Sequence, residues 1–114
     1  MSNLLKETLE VLNVNRKKEK DVLWVGNLNY HFSWDKFKEL ADKEYKSGFG
    51  SQNVAIDLLI VGENWWLERH EYDGSEWWEF KVMPNKPETV MQVKNLFTDV
   101  GWNDLEEINF KEGK

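Results

Sequence analysis

Two carboxylates and an imidazole, interleaved with tryptophans, are the one concentration of chemically capable side chains in this sequence. Trp66, Glu68 and His70 lie before an Asp73-Gly74 dipeptide, and Trp77 and Glu79 lie after it. Asp-Gly between two alternating aromatic stretches supplies the positive φ angles of a tight two-residue turn. That turn would set Glu68 opposite Glu79, His70 opposite Trp77 and Trp66 opposite Lys81. Three chemistries follow. A carboxylate pair flanked by indoles has the outline of a glycosidase centre, and directly opposed residues have Cβ atoms about 4.5–5.5 Å apart. A flat sheet face on so small a chain offers little concavity for a reaction, so no enzyme activity and no catalytic residue is expected. Two carboxylates and one imidazole also suit a first-row metal. His70, however, sits one step along the ladder and has no neighbour in the sequence to orient it, so neither a metal nor another cofactor is expected.

The third chemistry is recognition. Trp66, Tyr72 and Trp77 are large anchors that bury much area with little side-chain entropy loss, and Glu68, His70, Glu71, Glu76 and Glu79 surround them. Between Glu63 and Glu79 there are six carboxylates against one arginine, which is five of the chain's six net negative charges. The expected partner is therefore a protein with a basic surface. The plainer alternative is a solvated sheet face carrying a few exposed aromatics. Two further alternatives are a carbohydrate or other small-ligand binding face, and a homodimer interface. Monomer and homodimer both remain open.

The rest of the composition narrows the classes. A sequence of 114 residues, 40% hydrophobic, suits one domain over 1–114 with a modest core. There is no cysteine for a disulfide, a thiolate metal site or a thiol nucleophile. A pI near 5.0 argues against direct nucleic-acid binding. No run approaches the roughly 18–20 apolar residues of a membrane span, and MSNLLKETLEVL has no signal-peptide core. A cytoplasmic protein is expected. Gly48-Phe49-Gly50 lacks the remaining features of a phosphate loop. His31, between Tyr30 and Phe32, reads as a turn or strand-surface residue.

These side chains need elements to position them. Leu4, Leu5, Leu9 and Leu12 predict a short N-terminal helix capped by Ser2 or Asn3. Arg16 to Lys20 is a solvated basic connector. DVLWVG (21–26) predicts a strand, and Tyr30 and Phe32 a short second one. Ser33 caps a helix whose buried stripe runs through Trp34, Phe37, Leu40, Ala41 and Tyr45 to a Gly48 terminus. IDLLIV (56–61) predicts a central strand buried on both faces. Two strands over 65–82 follow, with Arg69 over the Trp78 ring and its head in solvent. Pro87 opens a further helix with Val90, Val93, Leu96, Phe97 and Val100 inside and Gly101 at its end. In the tail, Asn103 or Asp104 caps a short helix burying Leu105 and Ile108, the alternative being an edge strand over 107–110. The clustered strands predict an α+β fold. It has an antiparallel sheet with a three-strand meander over about 56–82, a short N-terminal strand or hairpin, and helices on one face.

EYDGSEWWEF, with the preceding SWDKFKELADKEYKSGFGSQNVAIDLLIVGENWWLERH, resembles a group of small uncharacterised proteins encoded by phages and prophages of Gram-positive bacteria. The likeness covers roughly residues 21–87. It brings no activity, cofactor or catalytic residue. It implies an accessory gene product acting inside a bacterial host cell, where small acidic phage proteins bind a host machine and block or redirect it. The resulting expectation is inhibition of a nucleic-acid-handling or defence factor.

Overall fold

The computed structural model describes residues 2–46, 48 and 50–110. The chain divides into two compact units, residues 1–83 and 84–114. The first unit begins with a two-residue strand, β1 (Ser2–Asn3), and helix α1 (Leu4–Val14). Asn3 is the N-cap, its side chain accepting the Lys6 N–H at 2.9 Å. A single 3-10 turn over Glu19–Asp21 leads into β2 (Val22–Gly26) and β3 (His31–Phe32). Helix α2 (Trp34–Ala41) follows, with Ser33 as its cap. Then come β4 (Glu44–Tyr45), β5 (Leu59–Gly62), β6 (Trp65–Tyr72) and β7 (Ser75–Val82).

The strands form a five-stranded antiparallel sheet in the order β3-β2-β5-β6-β7, and β1 and β4 make a separate two-stranded pair. The fold is α+β, as the clustered strands predict. The β6–β7 ladder runs without a slip from Trp65/Val82 to Tyr72/Ser75. Asp73 and Gly74 close it with φ of 52° and 86°, both left-handed, as a two-residue hairpin with matching twist requires. Leu12, Phe37 and Ala41 from the two helices pack with Val25, Ile60, Leu67 and Trp78 on one face of the sheet. A register shift between Val22 and Trp24 lets both Val22 and Val25 reach that core while Trp24 points to the opposite face. At the β5–β6 turn, the Trp65 indole lies across Gly62 where a Cβ would stand, so this site admits no larger residue without displacing the ring.

Three elements differ from expectation. Helix α2 stops at Ala41, and Glu44–Tyr45 becomes a strand beside Ser2–Asn3. Long-range bonds win there: the Leu4 N–H reaches the Lys43 carbonyl and the Tyr45 hydroxyl reaches Glu7. Strand β5 starts at Leu59 rather than Ile56, because a turn at Ala55–Leu58 and the Asn27–Asp57 side-chain bond hold the preceding residues. It is also covered on one face only, with Ile60 buried and Leu59 and Val61 half-buried.

In the second unit the helix expected from Pro87 to Gly101 is absent. The backbone N–H groups of Lys94 and Asn95 bond to the Asn109 side chain, and Asn95 and Thr98 bond to nearby backbone, replacing helical hydrogen bonds. The tail does form a short helix, α3 (Leu105–Phe110). Asp104 and Glu107 cap it reciprocally, each side chain accepting the other's N–H at 2.9 Å. Its buried residue is Asn109, while Leu105 remains exposed.

Candidate functional site

The face of the sheet opposite the two helices carries the side chains singled out above, in three cross-strand rows. Trp24, Val61, Trp66 and Lys81 make the first row, and Gly26, Leu59, Glu68 and Glu79 the second. His70 and Trp77 make the third. On this face, Trp66 Nε1 donates to Glu68 Oε1 at 2.7 Å, and Trp77 Nε1 donates to Glu79 Oε2 at 3.1 Å. Each strand therefore repeats one device, a tryptophan whose ring is tied to the carboxylate two residues on. A basic side chain follows each carboxylate by two residues, His70 on β6 and Lys81 on β7. His70 Nε2 lies 2.7 Å from Glu68 Oε2 and 3.5 Å from Glu79 Oε1, and Lys81 Nζ lies 3.3 Å from Glu79 Oε1. A pseudo-twofold through the Glu68/Glu79 pair relates the two strands.

These contacts set the electrostatics. The Trp66 hydrogen bond, then that of His70, holds the Glu68 carboxyl below the usual glutamate value. The Trp77 bond, then that of Lys81, does the same for Glu79. The repulsion expected between two directly opposed carboxylates is thus relieved locally by two indoles and two bases. Among the described residues, no cluster of three His, Asp or Glu side chains is spaced to hold a metal ion.

Beside the carboxylates, Trp24, Leu28, Leu59, Val61 and Trp66 line a shallow apolar groove of about 480 Å³, bounded by Asp57 and Glu68. Sequence reasoning missed Trp24, Leu28, Leu59 and Val61 as site residues. The available signal was alternation: DVLWVG and LLIV set beside the hairpin strands place Trp24, Leu59 and Val61 on its outer face. The shift at Leu23 and the assumption that β5 was covered twice concealed it.

The expected site residues divide accordingly. Trp66, Glu68, His70, Trp77 and Glu79 come together. Tyr72 shares their face but stands at the hairpin tip, 77% exposed. Glu76 does not belong with them. Its side chain points to the helix-covered face and is fully buried, because the period-two alternation puts it with Trp78 rather than Trp77. There its carboxylate receives Arg69 Nη2 at 2.9 Å and the backbone N–H of Asn53 and Val54. Arg69 is likewise corrected. Its guanidinium lies 4.7 Å from the Trp78 ring centroid as expected, but the head is buried instead of reaching solvent. It bonds Glu7 at 3.0 Å, the Tyr45 hydroxyl at 3.2 Å and Glu76. Burial alone would lower the Arg69 pKa; the bonds to Glu76 and Tyr45 and the Glu7 charge outweigh it and hold the group above its ordinary value.

No family model matches the chain, and no curated protein or solved structure shows significant similarity to it. Among the described residues no helix is long and apolar enough to cross a membrane. The functional reading therefore has to come from the geometry of this face.

Proposed function

We propose that this chain is a non-enzymatic binding protein that engages a protein partner across the face of its sheet opposite α1 and α2. The observation that carries the reading is the pair of tethered indoles, Trp66 on Glu68 and Trp77 on Glu79, with Trp66 lining the apolar groove. Aromatic anchors contribute most when they are already held in one conformation, since less freedom is lost on docking. The groove accepts an apolar side chain. The Glu68 and Asp57 carboxylates at its margin, with Glu79 opposite Glu68, favour a lysine or arginine next to that side chain. The partner is thus a protein with a basic surface, in the cytoplasm of a bacterial host. In its sharper form the proposal is inhibition of a nucleic-acid-handling or defence factor, which the phage resemblance implies. The lowered carboxyl pKa values favour binding over acid–base catalysis, because a general acid must still hold its proton near neutral pH.

The test compares wild type with Trp66→Ala as baits in a Gram-positive host lysate, after thermal melts establish that both fold. A protein held by the wild type at low salt, released as salt rises and not captured by Trp66→Ala supports the reading. Equal capture by both baits removes the site assignment.

A second reading is carbohydrate binding, favoured by the Trp66 ring standing beside a hydrogen-bonding carboxylate at a groove margin. Its signature is a tryptophan fluorescence change on titration with oligosaccharides that does not depend on salt.

A further inference from the structure

Strand β7 is one edge of the five-stranded sheet; its inward charge, Glu76, lies near the turn end, and the inward positions from Trp78 to Val82 carry none. It runs eight residues, SEWWEFKV, without a proline and without a register shift against β6. Natural edge strands of this length are blunted by bulges, prolines or inward charges, because a free ladder edge is a template for another strand. The direction of its backbone groups is fixed by the hairpin. Tyr72 and Ser75 flank the two-residue turn, and the Met83 N–H bonds to the Asn64 carbonyl at 2.7 Å in the continuation of the same register. Odd-numbered residues of β7 therefore bond to β6. The N–H and C=O groups of Trp78, Phe80 and Val82 point outward, where no further strand lies among the described residues.

We propose that the occupant of this edge is the β7 strand of a second copy, paired antiparallel about a twofold axis at Phe80. The sequence selects that register. With the axis at Phe80, Glu79 faces Lys81 of the second copy and Lys81 faces its Glu79, so opposite charges meet twice. These are non-hydrogen-bonded pairs, in which side chains approach most closely. Trp77 faces Met83 of the second copy, a favourable sulfur–aromatic pair; Trp77 and Met83 are 38% and 55% exposed. On the helix side, Phe80 faces its own counterpart and Trp78 faces Val82. Moving the axis to Glu79 opposes two glutamates, and moving it to Lys81 opposes two lysines. Moving it to Trp78 sets Phe80 against Glu76, which is engaged with Arg69 and with the backbone of Asn53 and Val54. Only the Phe80 axis matches charge with charge and apolar with apolar. The interface is isologous and closes at two copies. It joins the two sheets side by side into one continuous sheet, and it does not rest on the partner-binding reading.

The test is the solution mass of the full chain by light scattering and sedimentation equilibrium across a concentration series. The wild type is expected at twice the monomer mass at the upper concentrations. Lys81→Glu, which opposes glutamates twice, should weaken the dimer about tenfold. The double exchange Glu79→Lys with Lys81→Glu restores both pairs and should recover the wild-type constant. Val82→Pro removes an outward N–H while leaving the internal ladder bonds in place, and should be monomeric. A wild type that is monomeric throughout overturns the proposal. So does a dimer that survives Val82→Pro, or one in which the double exchange is no better than Lys81→Glu alone.

Discussion

The two faces of one hairpin carry two polar networks back to back, built from similar side chains and separated only by the alternation of the strand. On the covered face, Arg69 joins Glu7, Tyr45 and Glu76 with its side chain fully buried. On the other face, His70 and Lys81 join Glu68 and Glu79, each about a third exposed. The comparison teaches what burial does to a charge. The covered network ties α1, β4, the 53–54 backbone and the hairpin together, and losing one member strands the rest in low dielectric. The exposed network gains little from each pair, because water offers an alternative to every contact. One is built to hold the fold, and the other is free to exchange partners.

The comparison is broken most severely at Arg69. Arg69→Ala leaves Glu76 buried without its cation and should cost about 3–5 kcal/mol in denaturant unfolding. A loss below that of an ordinary surface substitution would mean that the covered network is not structural. The next largest contrast is between adjacent tryptophans. Trp78→Phe removes the indole N–H bond to buried Thr8, present at 2.8 Å, and should cost about 1–3 kcal/mol. Trp77→Phe removes a similar bond to Glu79 on the exposed face and should leave the melting temperature unchanged. Smaller still is Glu68→Gln, at about 0.5 kcal/mol or less, although it should weaken any basic partner of this face.

The finest contrast is in pH. Glu68 and Glu79 have lowered folded pKa values. Their contribution is present above the range where an unfolded glutamate titrates, and it fades as pH falls through the lowered folded value. Tyr45 runs the other way. Burial, then its bond to Glu7, raises its pKa above the ordinary 10.0. Its contribution is complete below that value and is lost as pH rises through the folded one. Thermal melts against pH should therefore show acid loss that Glu68→Gln reduces and alkaline loss that Tyr45→Phe reduces, with no crossover between the two.

The hairpin was legible from its residues because Asp73-Gly74 fixes the register and strict alternation then assigns every face. Helix α1 was legible from periodicity and capping, and the tail helix from its Asp104 cap but not from its apolar spacing, since Asn109 is buried and Leu105 exposed. The end of α2 was not, because the Tyr45 hydroxyl answers to Glu7 and Arg69, which are distant in sequence. The 87–101 segment misled for a related reason. Its apolar spacing is helical, yet Asn95, Thr98 and Asn109 offer the backbone competing partners. In the site, the tryptophan–glutamate–base repeat on each strand was visible residue by residue. Its charge balance emerged only once His70 and Lys81 were seen to meet the opposed carboxylates. The local excess of acid places Glu76 among the carboxylates around the aromatic anchors, but Glu76 belongs to the interior.

The tethered indoles also make the molecule its own spectrometer. The ring N–H groups of Trp34, Trp66, Trp77 and Trp78 are each bound to a different oxygen, on Glu19, Glu68, Glu79 and Thr8 respectively. Each proton therefore has its own electronic surroundings and should give a separate resonance in a nitrogen-15 correlation spectrum. Trp78 reports on the core, and Trp66 and Trp77 on the two halves of the exposed face. A ligand on that face, a second copy at the β7 edge and a loosening of the interior would each move a different set of peaks, without any label beyond the isotope.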